Sequence, residues 1–218
     1  YGVTNMALSK VDYNSLNVTA AASKALKWNS AADGFETGDV AGALVLLETQ
    51  TASSSATLSF TSGIDSTYDE YVFKFYDIHP ATDNEYLTFN GSTDGGSNYN
   101  LTKTSATFEV YHLENDESAI GYKGSADLAQ STAFQKITSN IGNGNDESAV
   151  GTLTLFNPSS TTFVKHFVLR LCHYLPNDAE SDYYGQGYFN TTSVIDAVQF
   201  KMSSGNIDAG VIKMYGVA

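Results

Sequence analysis

The C-terminal stretch, residues 193–217, constrains the fold most, because apolar and polar side chains alternate along two successive runs. The first run places four apolar residues at alternating positions, with one slip at Ala197: Val194, Val198, Phe200 and Met202. The second run alternates from Val211 to Val217, and a period of two is typical of half-buried β-strands. Ser203-Ser204-Gly205-Asn206 between the runs favours a tight turn. Because an open apolar edge promotes aggregation, we expect the last strand to lie inside an antiparallel sheet.

Similar runs fill the chain from residue 43 onward and predict around ten short strands. We expect strands at residues 44–51, 56–60, 70–78, 85–89, 107–113, 135–141, 150–156, 163–172 and 185–190, followed by the final two. Helical periodicity is weak, and only residues 125–130 favour a single helical turn. The predicted fold is all-β: an antiparallel two-sheet β-sandwich, jelly-roll-like, over residues 43–218.

One short phrase occurs twice within this region. Residues 115–121, Asn-Asp-Glu-Ser-Ala-Ile-Gly, are echoed by residues 145–151, Asn-Asp-Glu-Ser-Ala-Val-Gly. The echo is a single pair and does not extend into a full repeat. It therefore predicts two similar turns that each enter a strand, and not a solenoid.

Residues 1–42 differ in texture, being rich in Ala, Asn, Ser and Lys with isolated apolar residues. Asp33-Gly34 is a turn signal that predicts a small hairpin at most, while residues 3–15 favour a short helix as an alternative. A segment of about 40 residues seldom builds its own core without disulfides, metal or association. We therefore expect an extended arm that intertwines with neighbouring chains through five apolar side chains: Leu16, Val18, Leu26, Trp28 and Phe35.

Composition excludes several classes of function. Eleven basic residues against 24 acidic ones give a net charge of −13, which opposes binding to nucleic acid and to anionic lipid. The longest apolar run is far shorter than the roughly 20 residues that span a bilayer, so we expect no membrane insertion. The single cysteine, Cys172, cannot form an intrachain disulfide. The first residue, Tyr1, predicts a processed or partial chain.

Motifs for nucleophilic, phosphate-binding or zinc-dependent catalysis are missing from the sequence, so we expect neither an enzyme nor a cofactor. His166 and Cys172 would lie roughly 20 Å apart along one strand, which argues against a metal site shared with His173. Several acidic pairs occur in turns, although a glycosidase would need two of these carboxylates about 5–10 Å apart. Calcium binding stays open at four turn residues: Asp94, Asn143, Asn145 and Asp178.

The segment at residues 174–184 combines aromatic rings with carboxylates and an amide, which is a composition suited to gripping sugars. We expect a glycan-binding loop here that uses Asp178, Asp182, Tyr183 and Tyr184. The alternative is that Tyr183, Tyr184 and Tyr188 begin the next strand and fill the core or an interface.

Several phrases resemble the C-terminal domain of virion appendage proteins from tailed bacteriophages, especially of marine hosts. The phrases are Ser92-Thr93-Asp94-Gly95-Gly96-Ser97-Asn98-Tyr99, Leu155-Phe156-Asn157-Pro158-Ser159-Ser160, Ala197-Val198-Gln199-Phe200, residues 203–210 and Met214-Tyr215-Gly216-Val217. Residues 25–36 are similar to the short shaft segments that precede such domains. The resemblance implies a β-sandwich, a homotrimer and a role as tail fibre, receptor-binding tip or capsid fibre. It carries over no catalytic or binding residue.

The leading hypothesis is a non-enzymatic structural protein of a bacteriophage virion. It would be a homotrimeric fibre for host attachment that joins other virion proteins at its N-terminal end and binds host cell-surface polysaccharide. The alternatives are a capsid decoration or head-fibre protein, a secreted carbohydrate-binding module or adhesin, and a polysaccharide-degrading enzyme that uses one acid pair.

Overall fold

The computed structural model of the chain describes residues 24–38, 42 and 44–218. These residues fall into two compact units, a small one that holds a hairpin and a larger one that spans residues 44–217. The described residues form strands, turns and loops without a helix, and hence without one long and apolar enough to cross a membrane. The all-β prediction is therefore confirmed for this part of the chain.

The small unit contains a two-stranded antiparallel hairpin of β1 (Ala25–Trp28) and β2 (Phe35–Gly38). Its turn is closed by the Asn29 amide, which donates to the Gly34 carbonyl at 3.0 Å. The Asn29 side chain also donates to Asp33 at 2.9 Å. The predicted hairpin is confirmed, whereas the alternative helix at residues 3–15 lies outside the described residues.

The large unit contains two antiparallel sheets. The first has eight strands in the order β3-β14-β5-β10-β11-β12-β7-β8, and the second has four in the order β4-β13-β6-β9. The bounds are β3 Leu44–Thr51, β4 Leu58–Phe60, β5 Glu70–Pro80, β6 Leu87–Ser92, β7 Lys103–Leu113, β8 Ser118–Tyr122, β9 Gln135–Lys136, β10 Ala149–Phe156, β11 Lys165–Leu175, β12 Ala179–Phe189, β13 Ala197–Met202 and β14 Ile207–Val217.

The two sheets pack face to face through phenylalanine side chains. Phe200 of β13 contacts Phe73 and Phe75 of β5, with ring centroids 5.3 and 5.2 Å apart. Phe89 of β6 contacts Phe167 of β11 at 5.0 Å. Edge-to-face contacts of this kind are favoured by the ring quadrupole, and each buried ring contributes about 1.5–3 kcal/mol through loss of exposed apolar surface. The predicted two-sheet sandwich is confirmed, with sheets of unequal width.

The final two strands belong to different sheets. β14 lies between β3 and β5 in the large sheet, as expected for an apolar terminal strand that cannot be left at an edge. β13 pairs with β4 and β6 in the small sheet. The turn at residues 203–206 therefore carries the chain from one layer to the other and does not close a hairpin.

The structure corrects three local predictions. The segment at residues 174–184 is no loop, because β11 extends to Leu175 and β12 begins at Ala179. The predicted strand at residues 135–141 is regular only at Gln135–Lys136, although its continuation stays bonded to the chain beside β6 through Ile137 and Ile141. Residues 125–130 form no helical turn, and the Ala126 amide closes a tight turn by donating to the Lys123 carbonyl.

Both copies of the echoed phrase form a turn that enters a strand, as predicted. The turn after Asn115 leads into β8, and the turn after Asn145 leads into β10. β8 itself was not among the predicted strands. All five of its residues are exposed, so the apolar alternation that identifies a strand is lacking there.

The unequal widths of the sheets leave one margin of the large sheet uncovered. Phe89 of β6 lies over β11 and β12, and β9 is the next and last strand of the small sheet. Beyond it, residues 137–141 reach the inner face, where Ser139 bonds to side chains of β7 and β11. Polar side chains from β7, β11 and residues 137–141 enter the interior at this margin.

Two lysines lie in the opposite part of the sandwich and are fully buried, Lys103 and Lys165. Lys103 donates to the carbonyls of Leu101 at 3.0 Å and Ala133 at 2.6 Å. Burial disfavours its charged form and lowers the pKa of Lys103 to about 7, and burial also lowers the pKa of Lys165.

We expect Lys103 to make the sandwich more stable at high pH. Between pH 7 and about 10 the unfolded chain keeps its proton on this lysine while the folded chain releases it, so the free energy of unfolding rises with pH. The rise should be on the order of 3 kcal/mol. Urea unfolding at pH 7 and pH 10 should show a clearly smaller rise in Lys103→Met than in the wild type, and the lowered pKa of Lys165 accounts for the rise that remains.

Lys213→Met is the matched control, because this half-exposed lysine lies over the Tyr76 ring at 5.3 Å on the outer face. The control should keep the full rise. An equal rise in Lys103→Met would show that other groups cause it.

Candidate functional site

The four residues predicted to bind a glycan lie on the hairpin of β11 and β12 but not on one surface. Asp182 and Tyr184 lie on the outer face of the large sheet, whereas Tyr183 lies on the inner face, because successive side chains of a strand alternate. Asp178 lies in the turn between the strands with a φ of 56°, and accepts a bond of 3.3 Å from the Tyr174 hydroxyl.

The structure corrects the expectation for Tyr183. Its side chain is 1% exposed and packs in the core, so its ring cannot stack on a sugar. Burial strongly raises the pKa of its hydroxyl, which keeps the tyrosine neutral. The alternative interpretation, that Tyr183 fills the core, is confirmed.

Asp182 is occupied by neighbouring side chains on the outer face. Arg170 grips its carboxylate with Nε at 3.1 Å from both oxygens and Nη2 at 2.6 Å from Oδ2. The Tyr184 hydroxyl donates to the same Oδ2 at 2.7 Å. Burial alone would raise the pKa of Asp182, but the bonds from Arg170 and Tyr184 outweigh it and lower that pKa. The carboxylate therefore has little acceptor capacity left for a ligand.

Tyr184 is held in a stack of three planar groups. Its ring lies parallel to Phe108, with centroids 4.8 Å apart and 4° between the planes, and the Arg170 guanidinium lies 5.0 Å from its centroid. This stack restricts the motion of the Tyr184 side chain on the outer face, where its hydroxyl is bonded to Asp182.

The predicted interface residues on the hairpin are exposed. Trp28 is 61% exposed, Leu26 43% and Phe35 39%. Trp28 and Phe35 face each other across the hairpin, with ring centroids 4.4 Å apart. Leu16 and Val18, the other two predicted interface residues, lie outside the described residues.

The structure also shows a polar site that was not predicted, which we call the Glu109 cluster: Glu109, Lys123, Ser139, His173 and Ser181. Glu109 is 4% exposed and points inward from β7. Its carboxylate accepts two hydrogen bonds and forms one ion pair. Ser181 donates to Oε1 at 2.8 Å, Ser139 donates to the same oxygen, and the Lys123 ammonium pairs with Oε2.

The hydrogen bonds to Ser139 and Glu109 favour the His173 tautomer that carries its proton on Nε2. The Ser139 hydroxyl donates a hydrogen bond to the Glu109 carboxylate, so its oxygen accepts a hydrogen bond from His173 Nε2–H at 2.9 Å. His173 Nδ1 is then the unprotonated nitrogen, and it makes no hydrogen bond of regular geometry. The chain of donors thus runs from His173 through Ser139 to Glu109.

This arrangement does not suit Ser139 as a nucleophile. A serine relay needs the histidine to accept the serine proton and a carboxylate to hold the other ring nitrogen. Here the histidine donates to the serine, and the carboxylate bonds to the serine itself. Burial also lowers the pKa of His173 to about 4, so the ring is a poor proton acceptor near neutral pH. The cluster is an arrangement for orientation and binding.

A cleft of about 490 Å³ opens beside the cluster. Its inner wall includes Glu109, Lys123 and Ser139, and its rim is formed by Asn84, Tyr111, Leu113, Glu117, Asn140, Leu175, Pro176 and Asn177. The volume lies within the range of about 300–1,000 Å³ that is usual for small-molecule sites. The cleft lies at the sheet margin that the small sheet leaves uncovered.

One signal in the sequence pointed to this cluster. His173 has the parity of Phe167 and Leu169, so it falls at an inward position. Glu109 alternates with Phe108 and Val110, so apolar alternation predicts an outward side chain there, whereas the structure places it inward. An ionisable residue at a core position needs a partner. The partners themselves were not predictable, since Ser139 is 30 residues from Glu109 along the chain.

The candidate metal residues on β11 do not converge. His166 and Cys172 lie on the outer face and His173 on the inner face. The described part of the chain contains no group of three or more His, Cys, Asp or Glu side chains arranged to hold a metal ion. The Asp94 carboxylate is engaged in its own turn, where it accepts from Ser92 at 2.6 Å and from the Asn98 side chain at 2.7 Å.

No protein-family model matches the chain, and no curated protein matches it. One solved structure aligns with part of it, a structural-genomics protein of unknown function from Bacteroides ovatus, with 8% sequence identity and a TM-score of 0.26. The alignment covers 48% of this chain, which spans 45% of the length of that protein. A similarity this low defines neither a common fold nor a function.

We expect His173 to make the protein less stable in acid. Its pKa is lower in the folded chain, about 4, than the 6.5 of the free side chain, so the unfolded chain takes up the proton first as the pH falls. The free energy of unfolding should fall by on the order of 3 kcal/mol from pH 6.5 to 4. Urea titrations across this window should show a smaller fall for His173→Gln, which keeps an N–H donor for Ser139.

His166→Gln is the control, because His166 lies on the same strand but is exposed. It should follow the wild-type curve. If His173→Gln also followed that curve, the buried imidazole would not be the cause of the acid sensitivity.

Proposed function

We propose that this protein is a non-enzymatic structural protein of a bacteriophage virion, a homotrimeric fibre that attaches the particle to its host. One observation carries the proposal: the hairpin of β1 and β2 exposes Leu26, Trp28 and Phe35 in the segment that precedes a self-contained sandwich. The resemblance of its phrases to virion appendage proteins supports the same role.

The hairpin by itself has too little core to be stable. Isolated two-stranded hairpins are marginal in water, and the ring contact between Trp28 and Phe35 adds only about 0.5–1.5 kcal/mol. Its three large apolar side chains are left without the burial that would stabilise them. Copies of the same segment from sister chains provide that burial, and the resemblance of residues 25–36 to shaft segments favours three of them.

The sandwich, by contrast, buries its own core and can stand free as the outward-facing domain. Phe60, Phe73 and Phe200 are fully buried between its sheets without help from another chain. The net charge of −13 on the full chain favours solubility and disfavours adsorption to nucleic acid. Both properties suit a fibre tip that binds a polysaccharide on a cell surface.

The oligomer is tested by light scattering coupled to size-exclusion chromatography. The protein should elute as a trimer, and Trp28→Asp should shift it toward the monomer, because a charge at that position opposes burial between chains. Phe163→Asp is the matched control, since Phe163 is 68% exposed in the sandwich, and it should stay trimeric. A stable wild-type monomer would contradict the arm model.

Host attachment is tested by staining. Fluorescently labelled protein, incubated with a panel of marine bacterial strains, should stain a narrow subset of them. Staining should be lost when the surface polysaccharide is removed enzymatically. Binding to assembled phage shells without staining of any strain would instead favour the capsid decoration or head-fibre alternative.

The genes beside this one separate the remaining alternatives. Tail and capsid genes support a virion protein, whereas carbohydrate-metabolism genes support a secreted carbohydrate-binding module or adhesin. New reducing ends after incubation with capsular polysaccharide would contradict the non-enzymatic role.

A further inference from the structure

The cleft beside the Glu109 cluster, of about 490 Å³, is lined by both charged and apolar side chains. Its inner wall is charged, with Glu109 4% exposed and Lys123 38% exposed, while its rim is a mixture of amides, a tyrosine, Glu117 and apolar side chains. Burying the charge of Glu109 costs desolvation energy, and a lining of this composition is typical of sites where a few polar groups orient a ligand.

The wall keeps unused hydrogen-bonding capacity. An ammonium has three donors, and Lys123 directs one of them at Glu109 Oε2. Its side chain is 38% exposed, so the remaining donors are accessible from the cleft. A carboxylate has about four acceptor positions, and Glu109 uses three of them for Ser139, Ser181 and Lys123. Fixed donors and acceptors therefore lie side by side.

The rim complements this wall. Asn177 is exposed, and Asn140 donates a hydrogen bond to Asn84, so three amide side chains line the cleft. Tyr111 lines the cleft as a half-buried ring, with Leu175 and Pro176 as apolar neighbours. An aromatic ring packs well against the apolar face of a sugar, while amides and carboxylates form hydrogen bonds with its hydroxyl groups.

We propose that this cleft binds one neutral sugar unit of a polysaccharide, with its hydroxyl groups on Glu109, Lys123 and the rim amides and its apolar face on Tyr111. The charges favour a neutral ring over an acidic one, since Glu109 and Glu117 outnumber Lys123 among the cleft residues. The proposal rests on the attachment role, for which it names the ligand class and the site. It places that site on the inner margin of the sandwich and not on Asp182 and Tyr184.

The His173 and Ser139 part of the cluster acts as a positioning device in this site. Ser139 and Ser181 hold Oε1 of Glu109 from two sides, so the carboxylate is oriented before a ligand arrives. Preorganised polar groups lose less entropy on binding. This saving matters for sugars, because the desolvation of their hydroxyl groups leaves only a small surplus of binding free energy.

The experiment uses the full chain and saturation-transfer difference NMR with six probes. These are the methyl glycosides of glucose, galactose, mannose and N-acetylglucosamine, together with glucuronic acid and galacturonic acid. At least one neutral glycoside should give a saturable signal, and the two uronic acids should bind more weakly. The affinity should fall about tenfold in Tyr111→Ala and about fivefold in Asn177→Ala.

Matched variants keep the test independent of folding. Tyr111→Phe retains the ring and should bind within about twofold of the wild type. Asn100→Ala removes an exposed loop amide away from the cleft, as Asn177→Ala does within it, and should leave the affinity unchanged. Circular dichroism verifies that each variant is folded.

Two results would overturn the proposal: no neutral glycoside binds, or binding is equal in Tyr111→Ala, Asn177→Ala and the wild type. Uronic acids that bind as tightly as neutral sugars would refute the charge argument. Light scattering on the same samples keeps the two proposals apart. A trimer that binds no sugar would refute the sugar site in the cleft but not the fibre role. A monomer that binds sugar would refute the fibre role but not the sugar site.

Discussion

The sandwich depends on the contact between its two sheets at Phe200. This ring touches Phe60 in its own sheet and Phe73 and Phe75 in the facing one, and it also stacks on Phe89, with centroid distances between 5.2 and 6.2 Å. The contact fixes which strand of the small sheet lies over β5, and hence how far the small sheet reaches across the large one. Because the small sheet has four strands against eight, its reach ends before β8. The uncovered margin, and the cleft within it, follow from that mismatch.

Alternation along the chain predicted much of this fold, because a strand with one buried face has to place its apolar residues at every second position. It identified β14 as an interior strand and assigned Phe200 to a buried face. Alternation does not identify the strand with which another strand pairs, and the prediction was wrong at that point. The turn at residues 203–206 looks like a hairpin turn, yet β13 and β14 join different sheets, since the partners of β13 are β4 and β6. No local pattern distinguishes a turn within a sheet from one between sheets.

The candidate site shows the same division between local and long-range information. The segment at residues 174–184 has the composition of a binding loop, but it forms two paired strands, and the pairing hides Tyr183 and engages Asp182 with Arg170. The Glu109 cluster has no compositional signature, because its members come from β7, β11, β12 and two connecting segments. Ser181 and Glu109 are 72 residues apart in sequence. Such a site is visible as an inward ionisable residue, but its partners are set by the fold.

The energetics of the Glu109 cluster argue for a role beyond stability. Glu109 is buried while its partner Lys123 is 38% exposed. An ion pair that includes a buried charge is often no better for the folded state than apolar side chains of similar volume, because the Coulombic gain is offset by the loss of hydration. The apolar core beside it shows that this chain readily fills its interior with phenylalanine, as at Phe89 and Phe167. A carboxylate, an ammonium, an imidazole and two hydroxyls in the same layer therefore cost stability that a simpler core would not. They lie where the covering sheet ends and a cleft begins, which is where oriented polar groups can contact a ligand.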